Sequence, residues 1–168
     1  DDEPGRVDFN KLHTLKPAFE KDGTITAGNA STINDGAAAV LVMSKEMANK
    51  LKLMPIARIT AQASAAHAPE WFTTAPVSAM NKVLEKAGLN ISDIDLFEIN
   101  EAFAVVSMFA EKELSLDSEK VNVFGGAVSL GHPIGASGAR IMCTLLNAMD
   151  YKDAKRGMAS ICIGGGEA

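Results

Sequence analysis

The sequence predicts an α/β domain. From Asn29 onward, short apolar runs of strand length alternate with segments in which apolar residues recur at helical spacing. Polar or glycine-rich segments follow directly on several of the predicted strands, which is typical of ligand sites in α/β sheets. The 168 residues, of which 47% are hydrophobic and 22% charged, are enough for one domain with a core.

The predicted elements run along the chain as follows. Residues 1–28 are polar and turn-rich, and residues 29–168 carry the alternating pattern. Strands are predicted at residues 36–44, 55–65, 93–99, 121–124 and 157–162. Helices are predicted at residues 45–53, 101–114 and 136–149, with a further helix between Thr74 and Gly88.

Local signals support two of these helices. Thr73 and Thr74 are suitable N-caps, Pro76 suits a first helical turn, and Gly88 is a typical helix stop. The segment 136–149 is apolar almost all round, which indicates a buried helix.

Three short segments combine glycines with reactive side chains. They read GGAVSLGHPIGASG (125–138), NEAFA (100–104) and CIGGG (162–166). Each follows a predicted strand, and the carboxyl ends of strands in such sheets meet at one edge. We therefore expect the three segments to form one site.

The residues of these segments suggest chemistry, with a structural alternative for each. Glycines around His132 can hold its imidazole towards a ligand, where it donates to an oxyanion or takes a proton from a thiol. Cys162 precedes three glycines whose N–H groups could form an oxyanion hole. The alternatives are a backbone-bonded loop histidine, a buried cysteine of the kind expected for Cys143, and a helix N-cap for Asn100.

Together the three segments resemble the carboxyl-terminal half of the thiolases, which make or split 3-ketoacyl-coenzyme A. The resemblance covers nearly the whole chain but not the half that supplies the nucleophilic cysteine. It implies a layered thiolase-like fold in which one half has a mixed sheet flanked by helices. It also implies that residues 1–28 are a remnant of the loop domain and that residues 29–168 lack the family's final strand.

The resemblance also implies roles for individual residues. Cys162 would act as acid and base, while His132 and a water on Asn100 would stabilise an enolate oxygen, with the Gly164 N–H in a second oxyanion hole. Residues expected beside coenzyme A are Ala27, Ser31, Ala102 and Phe103, although Phe103 suits a core position equally well. Thr32 stands where glycine is common in the family.

The implied activity is the reversible condensation of two acetyl-CoA molecules to acetoacetyl-CoA and CoA. Alternatives are a degradative thiolase for longer 3-ketoacyl-CoA chains, or a non-catalytic half that binds CoA or a partner. A ketoacyl synthase is less consistent, because His67 is poorly placed as a second loop histidine. Without the nucleophile, we expect the chain alone to be inactive.

The composition of the chain bears on its partners and its location. The net charge of −5 argues against nucleic acid as a partner, and no apolar run has the length of a membrane span. Two cysteines in unrelated contexts indicate neither disulfides nor a metal site, which suggests the cytoplasm or an organelle matrix. Expected partners are acyl-CoA substrates, an amino-terminal thiolase half and further copies in a homo-oligomer, with no covalently bound cofactor.

Overall fold

A computed structural model describes residues 2–168 as an α/β structure. The α-helices are α1 (Asp2–Arg6), α2 (Lys45–Lys50), α3 (Ala75–Ala87), α4 (Ala104–Leu114), α5 (Ala127–Leu130) and α6 (Ser137–Tyr151). The strands are β1 (Leu96–Ile99) and β2 (Gly157–Ser160). Within residues 2–168, no helix combines the length and the hydropathy needed to cross a bilayer.

The sheet is built around β1. It pairs in parallel with β2, with Leu96 opposite Gly157 and Ile99 opposite Ser160. All four residues of β1 are buried, as expected for a parallel strand that is covered on both faces. Helix α6 contacts both strands, and Leu145 packs with Leu96 in one of the two buried clusters.

Helix α3 forms largely as the sequence predicts. It ends at Gly88, whose φ of 65° is the left-handed conformation that glycine adopts readily. Pro76 lies in the first turn, and Met80 and Leu84 face the core. Thr74 occupies the N-cap position, but its hydroxyl donates to the Trp71 carbonyl at 2.8 Å and makes no cap to the helix.

The predicted strands at 36–44 and 55–65 are wrong. Both segments are irregular, and their apolar side chains are largely exposed, with Leu41 at 83% and Ile56 at 85%. A strand needs a neighbouring strand as the partner of its backbone hydrogen bonds. Beside the second segment, a groove of about 220 Å³ lies between Ala63 and Met158 of β2, where such a partner would have to be. The end of the second segment does pair, because Ala65 exchanges backbone hydrogen bonds with Ala168.

Other predicted bounds also shift. Residues 121–124 form an isolated bridge from Val121 to Phe97 and then a turn, so that prediction of a strand is wrong. Helix α4 begins at Ala104 rather than at residue 101. Helix α6 buries one face rather than its whole circumference, and its buried residues are Ser137, Ile141, Leu145 and Ala148.

Candidate active site

The parallel strands bring two of the predicted site residues to one edge of the sheet. Asn100 directly follows β1, and its backbone N–H donates to the carbonyl of Ser160, the last residue of β2, at 2.9 Å. Cys162 follows two residues later in the chain. Since parallel strands end on the same side, both residues leave the sheet at its carboxyl edge.

The loop that carries His132 is fixed from the amino-terminal part of the chain. The His132 backbone N–H lies 2.9 Å from the Thr32 carbonyl and 3.2 Å from Oδ1 of Asn34, both of which accept from it. The Thr32 hydroxyl donates to the same Asn34 oxygen at 2.8 Å. Gly131 has a φ of 92°, and a Cβ there would collide with the Asn34 side chain. A glycine is therefore required next to His132.

The imidazole of His132 lies between two polar side chains. Its Nδ1 is 2.6 Å from the Ser137 hydroxyl, and its Nε2 is 3.3 Å from Nδ2 of Asn100. Burial lowers the pKa of His132 below its usual value, and the nearby Arg140 charge lowers it further. The ring is therefore neutral at neutral pH.

Asn100 is not the helix N-cap that its position in the sequence allows. Helix α4 begins four residues later, and Phe103 occupies the N-cap position. The Asn100 side chain is fully buried, and its Oδ1 has no hydrogen-bond partner among the described residues. Its amide thus presents one group to His132 and leaves an acceptor for another donor.

Cys162 is buried, and this burial raises the pKa of its thiol, so the resting group is protonated. It packs with Ile99 and Val106 in the main hydrophobic cluster. Among residues 2–168, no hydrogen bond joins Cys162 to His132 or Asn100. Gly164 follows in an exposed turn, with open space where a side chain would be.

The residues expected beside coenzyme A form one contiguous surface, apart from Ala27. The Ser31 hydroxyl donates to the Ala102 carbonyl at 2.8 Å, and the Ser31 N–H donates to the same oxygen at 3.0 Å. Phe103 is bridged to Ala30 and makes an edge contact with the Phe72 ring at 6.1 Å. Ala27 lies in an exposed turn at residues 26–29.

Comparison with known proteins identifies the family. The chain matches the family models described as "Thiolase, N-terminal domain" over residues 1–46 and "Thiolase, C-terminal domain" over residues 53–168. The chain belongs to the thiolase family. The resemblance inferred from the sequence is thereby confirmed. The division of the chain at residues 28 and 29 stays a prediction.

Thiolase relatives of this chain are similar along nearly its whole length. A probable acetyl-CoA acetyltransferase of Dictyostelium discoideum is 54% identical over 166 residues, covering 99% of this chain and 40% of that protein. Acetyl-CoA acetyltransferase 1 of Arabidopsis thaliana is 54% identical over 165 residues, covering 98% of this chain and 40% of its own length. The chain therefore spans about 40% of the length of these relatives.

Solved thiolase structures confirm the α/β thiolase fold. An acetyl-CoA acetyltransferase of Bacillus anthracis superposes with a TM-score of 0.90 at 49% identity, covering 94% of this chain and 40% of that one. A thiolase of Ascaris suum in complex with coenzyme A has a TM-score of 0.88 at 48% identity, covering 99% and 44%. Human mitochondrial 3-ketoacyl-CoA thiolase has a TM-score of 0.88 at 40% identity, covering 96% and 41%.

Sequence reasoning missed the groups that support this thiolase site. The Oε2 atom of Glu101 accepts from the Val128 N–H of α5 at 3.0 Å, and its Oε1 accepts from the Ser107 hydroxyl of α4 at 3.4 Å. Glu101 therefore ties Asn100's neighbour to the glycine-rich loop. Glu98 is buried in β1, with Oε1 3.5 Å from the Arg140 guanidinium. A carboxylate inside an apolar strand was the available signal for that ion pair, whereas nothing in the pattern singled out Asn34 or Ser137.

Within residues 2–168, no cluster of three or more His, Cys, Asp or Glu side chains could hold a metal ion. The predicted site residues themselves offer an imidazole, an amide, a thiol and backbone N–H groups. These groups suit proton transfer and the stabilisation of an oxyanion.

Proposed function

We propose that this chain is the carboxyl-terminal part of an acetyl-CoA C-acetyltransferase. The reaction joins two acetyl-CoA molecules into acetoacetyl-CoA and free CoA, and runs in both directions. The observation that carries the proposal is the Asn100–His132 contact at the carboxyl edge of the sheet, the edge at which the chain also leads into Cys162. The 54% identity to acetyl-CoA acetyltransferases over nearly the whole chain supports the same reaction.

The proposed reaction proceeds in two stages. A cysteine of the amino-terminal half, outside this chain, loses its proton to Nε2 of His132 and attacks the carbonyl carbon of one acetyl-CoA. The C–S bond breaks, and CoA leaves as a thiolate that takes the proton of the Cys162 thiol. Cys162 as thiolate then takes a proton from the α carbon of the second acetyl-CoA. The resulting enolate carbon attacks the acyl-enzyme carbonyl, which forms the C–C bond and releases the first cysteine.

The groups around Asn100 support the stabilisation of an enolate oxygen. The buried Oδ1 of Asn100 lacks a partner among the described residues, and an unsatisfied buried acceptor costs about 1–3 kcal/mol. A water bound there would satisfy Oδ1 and donate its second hydrogen to the enolate oxygen, with His132 as the other donor after it has taken up a proton. The backbone N–H of Gly164 would serve a second oxyanion in the open space around its turn.

For the second stage, the raised pKa of Cys162 has a direct consequence. As a thiol, Cys162 can protonate the departing acetyl carbanion in the degradative direction. In the biosynthetic direction it must first lose its proton, so an acetyl-CoA bound next to it has to favour the thiolate. Ala27, Ser31, Ala102 and Phe103 are proposed to line the coenzyme A site, and a structural neighbour in complex with coenzyme A supports this ligand.

One observation favours a second candidate, a degradative thiolase for longer chains. Human mitochondrial 3-ketoacyl-CoA thiolase superposes with a TM-score of 0.88, close to that of the acetyltransferase neighbours. A comparison of acetoacetyl-CoA with longer 3-ketoacyl-CoA substrates separates the two. A clear preference for the longer chains would overturn the acetyl-CoA assignment.

The deciding experiment mixes the chain with a separately produced amino-terminal thiolase half and measures thiolysis of acetoacetyl-CoA. We expect the chain alone to be inactive and the mixture to be active. Cys162→Ser should abolish turnover in the mixture, whereas the matched variant Cys143→Ser should retain it. An inactive mixture of two folded halves would support the non-catalytic alternative. Turnover that survives Cys162→Ser would refute the role of Cys162.

Assembly and location are also proposals. We propose a homo-oligomer of the complete enzyme, which sedimentation of the mixture can test. Both cysteines are free thiols, which suits the reducing cytoplasm or an organelle matrix. Fractionation of source cells tests the location, and recovery from an oxidising compartment would contradict it.

A further inference from the structure

The first residue of α6, Ser137, contacts the catalytic histidine and has no role in the reaction proposed above. The side chain is completely buried, and its Oγ lies 2.6 Å from Nδ1 of His132. The same Oγ lies 3.0 Å from the carbonyl oxygen of Pro133. We infer that Ser137 is a positioning residue that keeps the proton of neutral His132 on Nδ1 and leaves Nε2 free to accept one.

The hydrogens that Ser137 and neutral His132 can donate decide the tautomer. A serine hydroxyl has one hydrogen to donate and lone pairs to accept with. The Pro133 oxygen can only accept, so the contact at 3.0 Å uses the single hydrogen of Ser137. The contact with Nδ1 then requires a hydrogen on the nitrogen, which the Nδ1–H tautomer supplies.

The far side of the ring agrees with this assignment. If Nδ1 carries the only ring proton, Nε2 is an acceptor and needs a donor opposite it. Asn100 presents its Nδ2 to that nitrogen at 3.3 Å. The orientation of the Asn100 amide, which leaves Oδ1 without a partner among the described residues, is thus the one that the Ser137 contact requires.

The backbone keeps this arrangement in register. Pro133 and Ser137 belong to one turn, in which the backbone N–H groups of Ala136 and Ser137 also donate to the Pro133 carbonyl, at 2.7 and 2.8 Å. That carbonyl keeps two donors if the hydroxyl is removed. Replacement of Ser137 by alanine therefore deletes the histidine contact without leaving the turn unsatisfied.

In the reaction, the unprotonated Nε2 of His132 takes the proton from the thiol of the amino-terminal half. The S–H bond breaks, the sulfur keeps the electron pair, and an N–H bond forms at Nε2. This step rests on the proposed function. The tautomer depends on the hydrogen bonds of Ser137 and Asn100 and not on the reaction, so the two statements can fail separately.

The tautomer can be read directly by ¹⁵N NMR of the 168-residue chain at neutral pH, because the two ring nitrogens shift according to which one is protonated. The chain has three histidines, and the variants His13→Gln and His67→Gln remove the other signals. We expect His132 to be neutral with the proton on Nδ1. A neutral ring with the proton on Nε2 would overturn the inference without any variant at Ser137.

A matched pair of variants tests the consequence for the reaction. Ser137→Ala removes the acceptor at Nδ1. Ser129→Ala removes a hydroxyl that donates to the Gly126 carbonyl at 2.9 Å in the same loop but is not bonded to His132. In the active mixture of halves, we expect Ser137→Ala to lower kcat about tenfold to hundredfold with little change in KM, by analogy with the loss of a partner that orients a metal-bound histidine. Ser129→Ala should leave both constants unchanged.

The spectrum of Ser137→Ala should show a mixture of tautomers, whereas that of Ser129→Ala should match the unmodified chain. An unchanged tautomer and an unchanged kcat in Ser137→Ala would overturn the positioning role. If the mixture has no turnover with any variant, the proposed function fails, and the NMR result still decides the role of Ser137.

Discussion

Nδ2 of Asn100 lies 3.3 Å from Nε2 of His132, although 32 residues separate them in the chain. Asn100 directly follows the strand β1 and His132 follows the short helix α5, so the contact joins two parts of the fold. Each residue has a further hydrogen bond. Nδ1 of His132 contacts the Ser137 hydroxyl, and the backbone N–H of Asn100 donates to the Ser160 carbonyl. The pair is therefore fixed before any substrate binds, as electrostatic preorganisation requires.

Removal of the Asn100 amide should lower turnover strongly. We expect Asn100→Ala to reduce kcat of the reconstituted enzyme by about 10²–10³, because the water proposed to bind its Oδ1 is one of the two donors to the enolate oxygen and the loss of one oxyanion donor usually has this effect. Steady-state thiolysis of acetoacetyl-CoA measures the change.

Asn122→Ala is the matched control, because the Asn122 side chain hydrogen-bonds both backbone groups of Ile99 in β1 and, among the described residues, has no hydrogen bond to the His132 or Asn100 side chain. We expect it to lower stability and to keep kcat per folded molecule. If Asn122→Ala and Asn100→Ala lowered kcat equally, the effect would come from the strand and not from the amide.

The sequence predicted the positions of Asn100 and Cys162 at the carboxyl edge of the sheet better than it predicted the strands, and the roles of these residues stay predictions. The predicted site depends on short local patterns. These are a strand followed by Asn100 or Cys162, and glycines around His132, and each pattern is contained in a few residues of the sequence. The strands at 36–44 and 55–65 depend on neighbours that a local pattern does not contain. Their apolar composition predicts a buried strand, but the described residues offer them almost no backbone partners.

The sequence also did not reveal the side chains that support His132. Asn34 holds the His132 loop across 98 residues, and Ser137 reaches the ring across a turn of five residues. Asparagine and serine are common in loops, so neither type is a signal by itself. Only the geometry shows that Asn34 accepts from the His132 backbone and that Ser137 contacts the imidazole.

The charge of Arg140 should contribute to the acid limit of activity. Burial and, secondarily, Arg140 lower the pKa of His132, so a neutral imidazole persists below pH 6.5. Arg140→Gln removes the positive charge, which raises the pKa of His132 and moves the acid limb of kcat/KM to higher pH.

Arg140→Lys keeps the charge and should keep the limb near its original place. A pH profile of the reconstituted enzyme from pH 5 to pH 8 makes the comparison. An acid limb that Arg140→Gln leaves unmoved would show that the Arg140 charge does not act on His132.

Glu98 should make the protein less stable as pH rises. Burial raises its pKa to about 7 from 4.5, against the opposing attraction of Arg140. Between these values the folded state binds a proton that the unfolded state has lost, so the free energy of unfolding falls with rising pH. The pKa difference corresponds to at most about 3 kcal/mol.

Glu98→Gln should remove this slope, matching the unmodified chain at pH 5 and exceeding its stability at pH 8. Glu113→Gln, at an exposed position of α4, is the control. Urea unfolding at a series of pH values measures the slope. Parallel curves for Glu98→Gln and the unmodified chain would contradict a raised pKa.

The two cysteines should differ sharply towards alkylation. Cys162 is buried and its thiol has a raised pKa, whereas Cys143 is only half-buried on α6. An exposed thiolate attacks the carbon of iodoacetamide and displaces iodide, so Cys143 should be modified first and Cys162 at least about tenfold more slowly. Cys143→Ala should then resist labelling until the chain is unfolded in urea.

Rapid labelling of Cys162 in folded Cys143→Ala, followed by mass spectrometry, would mean that the thiol is open to solvent and ionised at rest. In that case Cys162 would need no help from bound acetyl-CoA to act as a base.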